Sequence, residues 1–173
     1  MNQQNKEQDM ESLKKTSLIM MIESIVAAVA SLAVALFVIC IAFISMFADN
    51  SFGFGEFFFY SGVVNSGVVI NIILSILAGC SLKYWKNIIA GTSTIGRYEK
   101  RLKNFSIAQI VIDGIIMLIF FIVFISGLVR FFSGDGYQYV LVTCLLGGFE
   151  AVFSVVHLLQ SIMTLTKLKS LYQ

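Results

Sequence analysis

Proline is absent from the chain, and only 13% of its residues are Asp, Glu, Lys or Arg. Soluble domains carry about a quarter of their residues as charges, so the scarcity excludes an ordinary water-soluble domain. The missing proline removes the commonest mark of a kinked helix. With it goes any signal for the broken helices common in secondary transporters.

Histidine occurs once, as His157. One histidine cannot supply both axial ligands of a bis-His haem unless subunits share it or Met joins in. A di-iron bundle needs Glu-x-x-His pairs, whereas Glu150 is followed three residues on by Phe153. His157 lies in an apolar stretch without a GxSxG elbow, which argues against a Ser–His–Asp hydrolase. Zinc-ligand spacing and a phosphate-cradling glycine motif are also missing, and Phe52–Glu56 (FGFGE) reads as a glycine-aromatic turn. The expectation is a chain that is not an enzyme and has no catalytic residue, metal or cofactor.

Three cysteines, Cys40, Cys80 and Cys144, are too scattered for a metal site and too few for a disulfide framework. They read as small buried hydrophobes, although Cys80, beside Ser81 and Lys83, stands where S-acylation could occur. A cleavable signal peptide is not expected. The first seventeen residues are polar and mixed in charge, and the apolar run after them exceeds a signal h-region of about 7–15 residues. Net charge is only +2, too little to argue for nucleic acid as a partner.

What is present is apolar length: 58% of the residues are hydrophobic and mean hydropathy is +0.88. Four stretches, at about 17–47, 57–82, 105–130 and 137–166, reach or exceed the ~20 residues that cross a bilayer. Lipid forces internal hydrogen bonding on such segments, so helices are expected despite the β-branched residues. They are too long and too uniformly apolar for outer-membrane barrel strands.

Basic residues set the topology. Lys6, Lys14 and Lys15 precede the first span, and Lys167 and Lys169 follow the fourth. Lys83, Lys86, Arg97, Lys100, Arg101 and Lys103 lie between the second and third, leaving Arg130 alone on the other side. By the positive-inside rule both termini and the central connection are cytoplasmic. The outer connections, about 48–56 and 130–135, are short. Phe57, Phe58, Phe59, Tyr60, Phe131, Phe132, Tyr137 and Tyr139 would form the outer aromatic belt, and Tyr84 and Trp85 the inner one.

The central connection, about 82–104, reads as a helical hairpin. Gly91 suits a helix C-terminus, and Thr92, Ser93 or Thr94 could cap the next helix. Ile95, Tyr98, Leu102 and Phe105 then recur at helical spacing. Spans two and three are expected to protrude as an αα-hairpin turning near residues 91–93, with 10–17 extending span one as a weaker signal. The chain reads as a single transmembrane domain, 1–173. Its fold class is an all-α integral membrane protein: an antiparallel, left-handed four-transmembrane-helix bundle with cytoplasmic termini and helices 2 and 3 extended into the cytoplasm.

Small and polar residues repeat at the period of a left-handed seam. In the fourth span Thr143, Gly147, Glu150, Ser154, His157, Ser161 and Thr164 step alternately by four and three. In the first, Ser24, Ala28, Ser31, Ala35, Val38, Ala42 and Ser45 do the same. The second offers Gly67, Asn71, Ser75 and Gly79 at four-residue steps, a close-packing row. The third is bulky beyond Gly114 and would supply knobs.

Glu150, His157, Asp113, Asn71 and Glu23 form the candidate intramembrane polar network. A central charge costs about 2.5–3.5 kcal/mol on insertion scales, so each ionisable member should face the bundle interior, pair, or be neutral. Approximate depths pair Asp113 with His157, and Glu150 with Asn71 or Ser31. Glu150 and His157 share a face but stand two turns, about 10.5 Å, apart. The network could fix register, or form stations of a proton or cation path.

The layout is similar to that of MARVEL-type tetraspan proteins and small multidrug transporters, but no motif of either is carried. The acidic residue of the first span, Glu23, sits at its inner end, whereas the multidrug-transporter carboxylate lies deeper. The expected function is that of a non-enzymatic subunit, scaffold or protective factor working through helix–helix contacts. The alternative is a small proton- or cation-coupled transporter or channel using Glu150, His157 and Asp113. Expected partners are the bilayer, anionic lipid headgroups at the basic side, and other membrane proteins or a second copy. The expected location is a plasma or cytoplasmic membrane.

Overall fold

The computed structural model describes residues 3–48, 54–92, 94–133 and 137–172. They form four α-helices: α1 Gln3–Ala48, α2 Phe54–Ile89, α3 Ile95–Ser133 and α4 Tyr137–Tyr172. No strand occurs among the described residues, and all four helices are long and apolar enough to cross a membrane. Ser93 and the side chains of Val38, Ala42, Ser45, Phe57, Phe58, Phe59, Tyr60, Tyr137, Tyr139, Thr143 and Cys144 lie outside the described residues. The second helix begins at Phe54, a few residues earlier than its apolar pattern suggested.

Neighbouring helices run antiparallel. Ser24 of α1 meets His157 of α4, while Ser31, farther along α1, meets Glu150, farther back along α4. Packing is tightest within α1/α2 and within α3/α4, so two helical hairpins lie side by side. Met21 of α1 comes within 3.4 Å of a Cβ built on Gly79 of α2. The Phe120 ring of α3 fits against Gly67 and the Phe124 ring against Gly148, as knobs need holes, while Gly147 meets the α3 backbone itself.

Four helices, not the expected two, extend into the end that carries the α2–α3 turn. All four helices outrun a hydrocarbon core of about 30 Å: even the 36-residue α2 and α4 reach about 54 Å at 1.5 Å per residue. Leu13 of α1, Trp85 and Ile88 of α2, Leu102 of α3, and Leu168 and Leu171 of α4 form one buried apolar cluster at that end. Both termini and the α2–α3 turn therefore share one end, and the hairpin there is one half of a four-helix cap. Contacts across the cap include Lys167 donating to Ser12 at 2.8 Å and Arg101 donating to the Tyr84 hydroxyl at 3.2 Å. Tyr84 also packs against Tyr98, ring centroids 4.5 Å apart, and stacks on Phe105.

The turn obeys its local chemistry. Gly91 has φ +71°, its N–H donates to Ile88 O, and the Thr92 N–H donates to Asn87 O. This is the Schellman pattern, in which a left-handed glycine lets the chain satisfy the last helix carbonyls. Thr94 directly precedes α3, and its carbonyl accepts from the Arg97 N–H.

The buried rows differ in detail from the sequence pattern. On α1 the buried small residues are Ser17, Ser24, Ala27, Ser31 and Ala35 among the described side chains, with Ala28 only half-buried. On α2 the row is Gly67, Asn71, Leu74 and Ala78, and Ser75 and Gly79 sit half-buried at its edge. A strict four-residue step drifts around a helix of 3.6 residues per turn, whereas alternating steps of four and three follow one seam.

Candidate functional site

Glu150 stands where α4 crosses α1 and α2. The Ser31 hydroxyl donates to its Oε1, and the Asn71 amide nitrogen lies 3.2 Å from both carboxyl oxygens. Gly67 makes room for the carboxyl group, since a Cβ there would lie 3.3 Å from Oε1. Glu150, Asn71 and Ser31 are each no more than 3% exposed. Three helices thus converge on one carboxyl group, and every contact is a donor to it.

His157, two turns further along α4, is surrounded differently. Its Nε2 lies 3.1 Å from both the Met20 carbonyl oxygen and the Ser24 hydroxyl of α1, and 4.0 Å from Glu23 Oε2. Its Nδ1 faces Asp113 Oδ1 of α3 at 3.7 Å. The Phe153 ring stacks on the imidazole, one turn earlier on α4, with centroids 5.4 Å apart. Asp113 and His157 are both fully buried.

The structure therefore resolves the five candidate residues into two groups. Glu150 and Asn71 touch directly, whereas Glu23, His157 and Asp113 form a line across α1, α4 and α3. Both groups are carried by α1 and α4, with α2 completing the first and α3 the second.

Further polar side chains complete the second group: Ser161 and Thr164 of the α4 row, and an α3 row that periodicity had not singled out. On α3, Leu102, Ser106, Gln109, Asp113, Ile116 and Phe120 are buried in alternating steps of four and three. That row was present in the sequence but hidden by the bulky residues around it. Ser161 of α4 and Asp113 of α3 face each other, while Gln109 Nε2 and Thr164 Oγ1 are buried without a hydrogen-bond partner among the described residues. Such groups are costly in hydrocarbon and uncommon in folded proteins. Those named here cluster in the half of the bundle nearer the termini.

Among the described residues, no group of three or more His, Cys, Asp and Glu is arranged to hold a metal ion. Glu23 and Asp113 approach opposite edges of the His157 ring rather than a common point. Comparison with known proteins yields no match, either to a family model or to a curated protein or solved structure.

Proposed function

We propose that this chain is a non-enzymatic multi-span membrane protein, a subunit, scaffold or protective factor that works through helix–helix contacts in a plasma or cytoplasmic membrane. The supporting observation is its inverted surface. Ser31, Asn71 and Glu150 are sealed inside, while Val29, Leu36, Ile76, Leu118 and Val152 stand on the outside at 57% exposure or more. Such a face suits lipid tails or another membrane helix.

In this reading both termini and the α2–α3 turn are cytoplasmic, because eleven of the twelve Lys and Arg residues gather at their end. Lys83, Lys86, Lys100, Arg101 and Lys103 would then attract anionic headgroups, at about 1 kcal/mol each when close to the surface. The bundle is left-handed by its 3.5-residue seam period.

A second reading has its own support in the buried polar cluster of Gln109, Asp113, Ser161 and Thr164. These groups suit a small proton- or cation-coupled transporter or channel. Reconstituted vesicles separate the two. The first expects no flux under a pH gradient or potential, together with copurification of one defined partner or of a second copy. Gradient-driven uptake or leak that Glu150→Gln and His157→Gln abolish in folded protein would overturn it.

A further inference from the structure

We propose that Asp113 and His157 form a buried binding site for one exchangeable proton, and that Glu23 is the group through which this proton enters and leaves. The site follows from hydrogen-bond direction and goes beyond the choice between scaffold and transporter.

The Ser24 hydroxyl donates to Met20 O at 2.8 Å, one turn back on its own helix. Its hydrogen is therefore committed, and toward His157 it presents a lone pair. Met20 O is an acceptor as well. With acceptors on that side, both 3.1 Å away, His157 Nε2 carries a hydrogen. The opposite nitrogen, Nδ1, faces Asp113 Oδ1 at 3.7 Å. Two lone pairs cannot face each other stably in a buried, apolar setting, so one proton belongs between them.

That proton has two places. On Asp113, the carboxylic O–H donates to Nδ1 of a neutral imidazole. On Nδ1, an imidazolium donates to the carboxylate. Either way the pair is neutral overall, which a membrane interior tolerates. The distance of 3.7 Å leaves the pair slightly apart, so it closes by a small shift or through one water molecule.

Unloading also balances. The Nε2–H bond breaks and its proton passes to the Glu23 carboxylate, while Nδ1 keeps or takes the proton it shares with Asp113. The ring ends with its hydrogen on Nδ1, donating to an Asp113 carboxylate. Ser24 then turns its hydroxyl from Met20 O to the bare Nε2. Loading is the reverse, with the imidazole accepting on one nitrogen and releasing from the other.

Glu23 suits the gate. Its Oε2 has no hydrogen-bond partner and lies 4.0 Å from Nε2, yet its side chain is 30% exposed, against 1% for His157 and 0% for Asp113. Among the described residues, Glu23 of α1 and Asp113 of α3 are the ionisable groups within ion-pair distance of the ring, and α2 presents none there. Glu150, on the same helix, is two turns away, about 10.5 Å.

His157 is the one histidine, so its ring nitrogens can be followed by nitrogen NMR in the full-length protein in lipid or detergent. In wild-type protein, the Nε2 signal and the infrared bands of one buried carboxyl group should change together at a single midpoint as pH is varied. Asp113→Asn should remove the infrared change. An Nε2 signal that stays constant across the pH range, or a carboxyl change that survives Asp113→Asn, would overturn the site. So would a ring that keeps Nε2–H opposite an Asp113 carboxylate throughout. Because the wild type supplies the first readout, a misfolded variant does not remove the test. Glu23→Gln should keep both end states and slow proton exchange by about a hundredfold, the lower range for a positioned acid–base group. An unchanged exchange rate would overturn the assignment of Glu23.

Discussion

Gly147 of α4 lies against the backbone of Phe124 of α3, so close that a Cβ on the glycine would stand 3.0 Å from the Phe124 amide nitrogen. Phe120 O, at 3.2 Å, closes the same space. The obstacle is backbone, which cannot swing aside as a side chain can. The two helices must separate if anything larger occupies the position. Gly147→Ala should therefore destabilise the protein by about 1–3 kcal/mol, the usual cost of overpacking. Gly62→Ala is the control: it lies in α2 with nothing within 4 Å of its Cβ position, and helix propensity alone favours the alanine. Unfolding in detergent should separate the two variants, and equal stability would contradict the close approach.

The Glu150 clamp predicts an order of effects. Interhelical polar contacts in membranes average about 0.6 kcal/mol and reach about 1.7 kcal/mol, so Ser31→Ala and Asn71→Ala should each cost an amount in that range. Glu150→Gln should cost more than either. Its amide nitrogen would face a donor, Ser31 or Asn71, whichever way the group is turned. A double-mutant cycle of Ser31→Ala with Asn71→Ala should be non-additive, because the two donors share one oxygen. Strict additivity would mean that the carboxyl group is not held by both.

The helical fold and the polar stripe of α4 were legible in the sequence because both depend on period and composition alone. Gly147, Glu150, Ser154, His157, Ser161 and Thr164 all became buried, as a 3.5-residue row on an apolar helix must. The α2 row was less legible. Gly67, Asn71, Ser75 and Gly79 look like a packing motif by residue type, yet Leu74 and Ala78 hold the buried positions. Residue size favours the four-residue row, whereas helical phase decides which positions are buried. The Asp113–His157 approach could be guessed from depth, but the acceptor role of Met20 O could not. A backbone carbonyl carries no signature in sequence, and the neighbour of His157 on α1 depends on how far the two hairpins slide past each other.

The cap at the termini should report its own integrity. Trp85, the one tryptophan, is 1% exposed and packs in the same cluster as Leu168. Leu168→Ala opens a cavity beside that cluster and should cost about 2–5 kcal/mol if the surroundings cannot collapse. Trp85 emission should shift to the red as water reaches the ring. Protease sensitivity should rise at both 82–104 and the C-terminal end of α4, because one cluster holds all four helices. Cleavage confined to 82–104 would favour a free two-helix hairpin instead.

Gly91 offers the sharpest test of the turn. With φ at +71°, it adopts a left-handed conformation that costs an L-residue roughly 1–2 kcal/mol. Space is not the issue, since nothing lies within 4 Å of a Cβ built there. Gly91→Ala should therefore destabilise the cap through backbone strain alone, and Gly91→Asn by less, because asparagine tolerates this conformation better. Gly96, early in α3, also has open space around its Cβ position but no positive φ. Gly96→Ala should be neutral or stabilising by up to about 1 kcal/mol through helix propensity. Opposite signs for the two alanine variants in thermal unfolding are the expected result. Equal signs would mean that the chain does not turn at Gly91.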